Sequence, residues 1–104
     1  MIEILKALPE DHQRLTEISF ASKRHWGYPE TWIQLWKDDL TIHPDHFQKF
    51  EIFKLVENSI IIGFSALSIR VKEVEVEHLW VVPEKIGKGF GRRLLEFSLA
   101  QTTQ

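Results

Sequence analysis

The residues of this chain best suited to chemistry lie between Val74 and Arg92. Glycine and basic residues crowd one short run, Gly87-Lys88-Gly89-Phe90-Gly91-Arg92. Glycines let a backbone approach an anion closely, and the first N–H groups of a following helix point at it. Just upstream, Glu75 and Glu77 are two residues apart, which places both carboxylates on one face of a strand. Neighbouring carboxylates raise each other's pKa, and such a pair suits a proton acceptor acting directly or through water. The stretch predicts an anion cradle with a carboxylate base near it. The plainer reading keeps Lys88 and Arg92 as solvated charges at a helix start. It leaves Glu75 and Glu77 in solvent, or paired with Arg70 or Lys72.

Two nucleotide patterns do not fit the glycine run. A Walker-type loop needs Gly-Lys followed by Ser or Thr, but Gly87-Lys88 is followed by Gly89. A dinucleotide fingerprint needs an acid about 20 residues further on, and this sequence reaches Gln104 first.

The elements that must position these groups follow from periodicity. Val74 to Val82 is rich in β-branched residues and reads as a strand. Strict alternation groups Glu75, Glu77, Leu79 and Val81 on one face, and Val74, Val76, His78, Trp80 and Val82 on the other. His78, between Val76 and Trp80, reads as a packed histidine. After the glycines, Gly91, Leu94, Leu95, Ser98 and Leu99 share one side of a helix. Upstream, Met1 to Ala7 reads as a first strand. Pro9 opens a helix over 9–23, with Leu15, Ile18 and Ser22 on its inner face. Gly27 and Pro29 mark a loop that carries Lys23, Arg24, His25, Trp26 and Tyr28. A second helix runs from Pro29 to Leu40, with Trp32, Trp36 and Leu40 as a stripe that is core or, as the second reading, the wall of a pocket. His43-Pro44-Asp45-His46 reads as a capped turn, with too few ligands for zinc. Two strands, 51–57 and 60–70, meet at Asn58-Ser59 in a tight hairpin. Gly63, in the more apolar of the two, marks a bulge or a close backbone approach.

Composition narrows the function classes. The chain has 104 residues, 43% hydrophobic and 27% charged, and reads as a single domain over 1–104. A net charge of −2 argues against a nucleic-acid surface. Without cysteine there is no thiolate nucleophile and no disulfide, which suits a cytoplasmic protein. No apolar run reaches the ~18 residues of a membrane span.

Taken together, Val81-Val82-Pro83-Glu84 leading into Gly89-Phe90-Gly91 resembles the acyl-coenzyme A loop of the GNAT superfamily of N-acetyltransferases. That family's loop reads Gln or Arg, two residues, Gly, one residue, then Gly or Ala. Ile86 stands at the Gln/Arg position, a departure that leaves the backbone N–H mechanism intact. The resemblance implies an α/β (α+β) fold in the order β-α-α-β-β-β-α, with a mainly antiparallel sheet and helices on both faces. It implies transfer of an acetyl group from acetyl-CoA to a primary amine of a small molecule or peptide. The pyrophosphate would lie on Ile86, Gly87, Lys88, Gly89, Phe90, Gly91 and Arg92. The pantetheine arm and thioester would lie along Leu79, Trp80 and Val81. His25, Trp26 and Tyr28 fall where such enzymes line the acceptor pocket, though aromatic packing at the core edge explains the last two equally well. Glu77, closer to the cradle than Glu75, is the preferred base.

The sequence also departs from the family at its end. The strand that follows the glycine helix is missing, as is a later helix whose tyrosine often serves as general acid. The single tyrosine, Tyr28, comes too early. An unpaired strand edge of this kind invites pairing with a second copy, so self-association is expected. The alternatives to an enzyme are a non-catalytic remnant that binds coenzyme A weakly or acts as an interaction module, and a generic anion-binding domain.

Overall fold

The computed structural model describes residues 1–102. Its frame is a four-stranded antiparallel sheet in the order β1-β2-β3-β4, formed by Ile2–Lys6, Glu51–Glu57, Ile60–Ile69 and Val74–Val81. The β2–β3 hairpin turns at Asn58 and Ser59, both at positive φ (50° and 70°). Positive φ at both turn residues matches the twist of the flanking strands and so holds the register. β3 is the central element. Ile62 through Leu67 are all buried, covered from both sides. β2 is buried on both faces as well, rather than alternating.

The helices divide between the faces. α5 (Phe90–Thr102) covers one face, where Ser98 and Ser65 share a buried hydroxyl contact of 2.7 Å and Phe97 meets Phe53 edge-on. α1 (His12–His25) covers the other with Leu15, Ile18, Ser19 and Ser22, after a 3-10 turn at Pro9–Asp11. On that side Phe64 stacks near His78 at 5.9 Å. Leu15, Ile18, Phe64 and Leu94 join one core.

Three expectations need correction. The helix expected over 29–40 is two pieces, α2 (Glu30–Leu35) and α3 (Lys37–Leu40), broken at Trp36, and one more short helix, α4 (His46–Lys49), follows. The stripe within it is also different. Ile33 and Leu40, seven residues or about two turns apart, set the buried direction. Trp32 lies about 100° away from Ile33 on the helix and is 49% exposed, while Trp36 is half-buried.

The third correction matters most for function. Ala66 pairs with His78, but Leu67 pairs with Val76, so Glu77 is an extra residue in β4. Such a bulge sets two adjacent residues against one and reverses the alternation beyond it. Val74 and Val76, opposite Ile69 and Leu67, therefore join the α5 face with Leu79 and Val81. Glu75, opposite Ser68, and Glu77, beside His78, lie on the α1 face with His78 and Trp80. The two carboxylates do share a face, but it is not the face of Leu79 and Val81.

Candidate active site

Two hollows flank Trp80. The first is a cleft of about 230 Å³ bounded by Ser22 of α1 and Trp26 just after it, Leu79 to Val81 of β4, Lys85 to Gly87 of the following turn, and Gly91 of α5. Apolar side chains line it together with polar backbone groups. The Val82 N–H donates to the Ile62 carbonyl at 2.8 Å. Because antiparallel residues alternate in which edge they bond, the N–H and C=O groups of Leu79 and Val81 turn away from β3, toward the cleft. Ser22 confirms that direction, since its buried hydroxyl donates to the Val81 carbonyl at 2.7 Å.

The floor is the glycine turn. Lys85 and Ile86 donate back to Val82 and Pro83 in a 3-10 turn. Among the described residues, the N–H groups of Gly87 through Arg92 have no acceptor, and the ladder resumes with Arg93 donating to Gly89. Six free donors lead into a 13-residue helix, the arrangement that suits an anion. Gly87 and Gly89 hold it open with φ of 87° and 83°, a conformation that side chains disfavour, and a Cβ there would meet nothing within 4 Å. The constraint is conformational rather than steric. Lys85 borders the cleft and bonds Glu57 at 2.8 Å, which holds the Glu57 carboxyl below the usual carboxylate range. Lys88 is exposed, and Arg92 pairs with Glu96 along the helix at 2.8 Å.

The second hollow, of about 220 Å³, lies on the α1 side of β4 and is lined by Lys23, Trp36, Asp39, Leu40, Glu77, His78 and Trp80. It runs into a third, where Asp38, His46 and Phe50 join Asp39, Glu77 and His78. The bulge is what brings Glu77 here. His78 is held by Trp80, whose indole N–H donates to His78 Nδ1 at 3.0 Å, so the ring proton of the neutral histidine sits on Nε2. Burial pushes the His78 pKa down to about 4, and His46 nearby adds to the effect. His78 is therefore a neutral hydrogen-bond donor at pH 7.

Most of the sequence-derived site residues gather around these hollows, but not in one group. Leu79, Trp80, Val81, Ile86, Gly87, Gly91 and Trp26 line the first. Lys88, Gly89, Phe90 and Arg92 lie in the same glycine turn and first turn of α5 but do not line it. Tyr28 stands beside the second, in edge contact with Trp36 at 5.1 Å. His25 packs on Trp26 at 5.1 Å and is exposed. Glu75 sits apart, paired with Arg70 at 3.2 Å. Sequence reasoning did not select Ser22, Lys23, Lys85 or Asp39 for the site. Ser22 had a signal, as a polar residue on a buried helix face; Asp39 had none.

Among the described residues, no cluster of three or more His, Asp or Glu side chains could hold a metal. No helix there is long and apolar enough to cross a membrane.

Residues 8–103 match the model of the Acetyltransferase (GNAT) family. The chain belongs to that family. Its GNAT fold is similar to the PaiA N-acetyltransferase of Thermoplasma acidophilum in complex with coenzyme A (TM-score 0.84, 24% identity, 99% of this chain and 72% of that one). It also resembles a GNAT acetyltransferase of Brucella melitensis in complex with acetyl-CoA (TM-score 0.75, 19% identity, 99% and 69%). A third similar structure is the ribosomal-protein-S18-alanine N-acetyltransferase of Escherichia coli (TM-score 0.72, 18% identity, 98% and 59%). No curated protein matches the chain by sequence. Membership places the chain in the acetyltransferase class of a coenzyme A-using GNAT family.

Proposed function

We propose that the chain transfers the acetyl group of acetyl-CoA to a primary amine, with donor and acceptor on opposite sides of Trp80. The observation that carries this reading is the pairing of an unsatisfied N–H cradle with the outward backbone of Leu79 and Val81 in one cleft. The pyrophosphate fits the N–H groups of Gly87 to Arg92, and Lys85 adds a cation at the rim. An extended amide-bearing arm fits the free strand edge, because its own amides can pair with those of Leu79 and Val81 as a further strand would. An N–H on that edge faces the thioester oxygen and stabilises the charge that grows there.

The acceptor enters from the Glu77 side. Its ammonium must lose a proton before nitrogen can attack, and Glu77, at the bulge beside Trp80, is the base. The C–N bond forms as the C–S bond breaks, and coenzyme A leaves as the thiol or thiolate. Glu75 is too engaged with Arg70 to share that role. Supply of acetyl-CoA puts the reaction in the cytoplasm. Below the bulge, β4 has an unpaired edge at Val74–Val76, with Val76 41% exposed, and we assign this edge to pairing with a second copy. Light scattering coupled to size exclusion would oppose that pairing if it gave a monomer at high concentration.

The deciding experiment is a calorimetric titration of acetyl-CoA, followed by thiol release across a panel of amines. Saturable micromolar binding competed by coenzyme A, with amine-dependent release, is expected. Binding without release from any amine would favour a non-catalytic remnant. The absence of binding would remove the cradle assignment.

A further inference from the structure

The second hollow holds charges of both signs that do not neutralise each other. Lys23 lines it, and so do Asp39 and Glu77, yet among the described residues none of the three makes an ion pair. Lys23 is instead clamped by aromatic faces, its ammonium 4.7 Å from the Tyr28 ring centre and 4.4 Å from that of Trp36. A ring face attracts a cation without cancelling its charge. The clamp is itself braced, since Tyr28, Trp36 and Trp32 pack on one another at 5.1 to 6.2 Å. The remaining polar group, His78, is neutral at pH 7. One small cavity therefore presents a fixed cation on the α1 wall and two free carboxylates on the β4 and α3 walls.

We propose that Lys23 is a specificity-determining residue and that the acceptor is a small zwitterion, an amine that also carries a carboxylate. Its ammonium lies by Glu77 and Asp39, and its carboxylate pairs with Lys23. This deepens the proposed acetyl transfer and rests on its assignment of this cavity to the acceptor. A dicationic amine fits less well, because its second charge would meet the Lys23 ammonium on the rings that could otherwise have bound it. A plain monoamine leaves Lys23 without a partner and forgoes one charge-assisted contact.

The test compares amines with and without the carboxylate. L-leucine is set against isoamylamine, and γ-aminobutyrate against propylamine. Each is titrated into the full chain, with and without coenzyme A, and followed by the NMR shifts of the Trp36 indole N–H and the Glu77 to Trp80 amides. At least one amino acid should bind tenfold or more tighter than its decarboxylated partner. Lys23→Met should bring that pair within twofold, and Lys23→Arg, which keeps the charge, should restore the preference. Coenzyme A shifts at Gly87 to Arg92, the same in each variant, confirm an intact fold; if Lys23→Met is unfolded, Lys23→Gln takes its place. The inference is overturned if the amines bind as tightly as the acids. A preference that survives loss of Lys23, or no saturable shift from either member of both pairs, overturns it as well. Discrimination at this cavity without coenzyme A binding would instead remove the donor-cleft reading and leave the Lys23 inference standing.

Discussion

The two hollows beside Trp80 are built from different materials. The cleft assigned to the donor offers polar groups that are mostly backbone: free N–H groups in the glycine turn and the outward edge of Leu79 and Val81. The cavity assigned to the acceptor is made of side chains drawn from α1, α3 and β4, and it depends on one extra residue in β4. A backbone site tolerates change in most of its side chains, but not a change that alters its φ angles. A side-chain site can change its ligand with a single substitution.

This contrast predicts the largest effect at Gly89. Glu at this position must hold φ near 83°, which costs about 1–2 kcal/mol for a residue with a Cβ. Its carboxylate would also face a bound pyrophosphate, and like-charge juxtaposition costs several kcal/mol. Gly89→Glu should weaken acetyl-CoA binding by roughly a thousandfold, while the backbone strain lowers the melting temperature by roughly 5–15 °C with no added clash, because no atom lies within 4 Å of the new Cβ. Calorimetry beside thermal unfolding separates the two. Retained affinity would mean that the cradle is not where the anion binds.

Next in size is a paired comparison on the acceptor side. Loss of a positioned base lowers turnover by about 10²–10⁴. Glu77→Gln should fall in the lower part of that range in kcat, with acetyl-CoA affinity unchanged. Glu75→Gln, two residues away but tied to Arg70 at the surface, should change kcat less than about twofold, within the small effects usual for surface substitutions. Equal losses in the two variants would break the distinction between a carboxylate in the second hollow and one held by Arg70 outside it.

Much of this was legible in the sequence, and the exceptions have physical causes. Glycine positions, the Asn58-Ser59 hairpin and the Leu15/Ile18/Ser22 helix face are local signals, and each appears where the pattern put it. The face of Glu77 was not legible. Alternation assumes a regular register, whereas a bulge is decided by how β4 fits against Ala66 and Leu67. The stripe of α2 and α3 divides for a related reason. Leu40 is core and Trp36 lines the second hollow, but Ile33 sets the buried direction of α2, and Trp32 is left to brace the clamp around Lys23. Asp39 and Lys23 are charged residues on helices, and nothing in the sequence shows that they meet in one cavity.

His78 offers a test with a pH axis. Its pKa is lowered from the ordinary 6.5 to about 4 by burial. A histidine held neutral in the fold is protonated more readily when unfolded. Its contribution is therefore fully present above pH 6.5 and is lost as pH falls toward 4, by an amount of order 3 kcal/mol. His78→Gln, whose side-chain oxygen can still accept from Trp80, should flatten the stability profile between those limits. Chemical denaturation at several pH values reads this directly. A profile with the same slope in the variant would place the titrating group elsewhere.

The smallest expected effect joins the two hollows. Ser22 donates to the outward carbonyl of Val81, while the next residue, Lys23, sits on the rings of the acceptor cavity. One turn of α1 thus fixes the strand edge on one side and the cation on the other. Ser22→Ala leaves the Val81 carbonyl without its buried donor and should cost about 1–3 kcal/mol of stability. If the contact only holds α1 to the sheet, acetyl-CoA affinity should be unaffected. If it also sets the direction of the edge that faces the thioester, kcat should fall by a few fold while the affinity for acetyl-CoA stays within twofold. A larger loss in affinity than in kcat would mean that Ser22 shapes the donor cleft itself, and that the free edge of Leu79 and Val81 is not held in place by the strand alone.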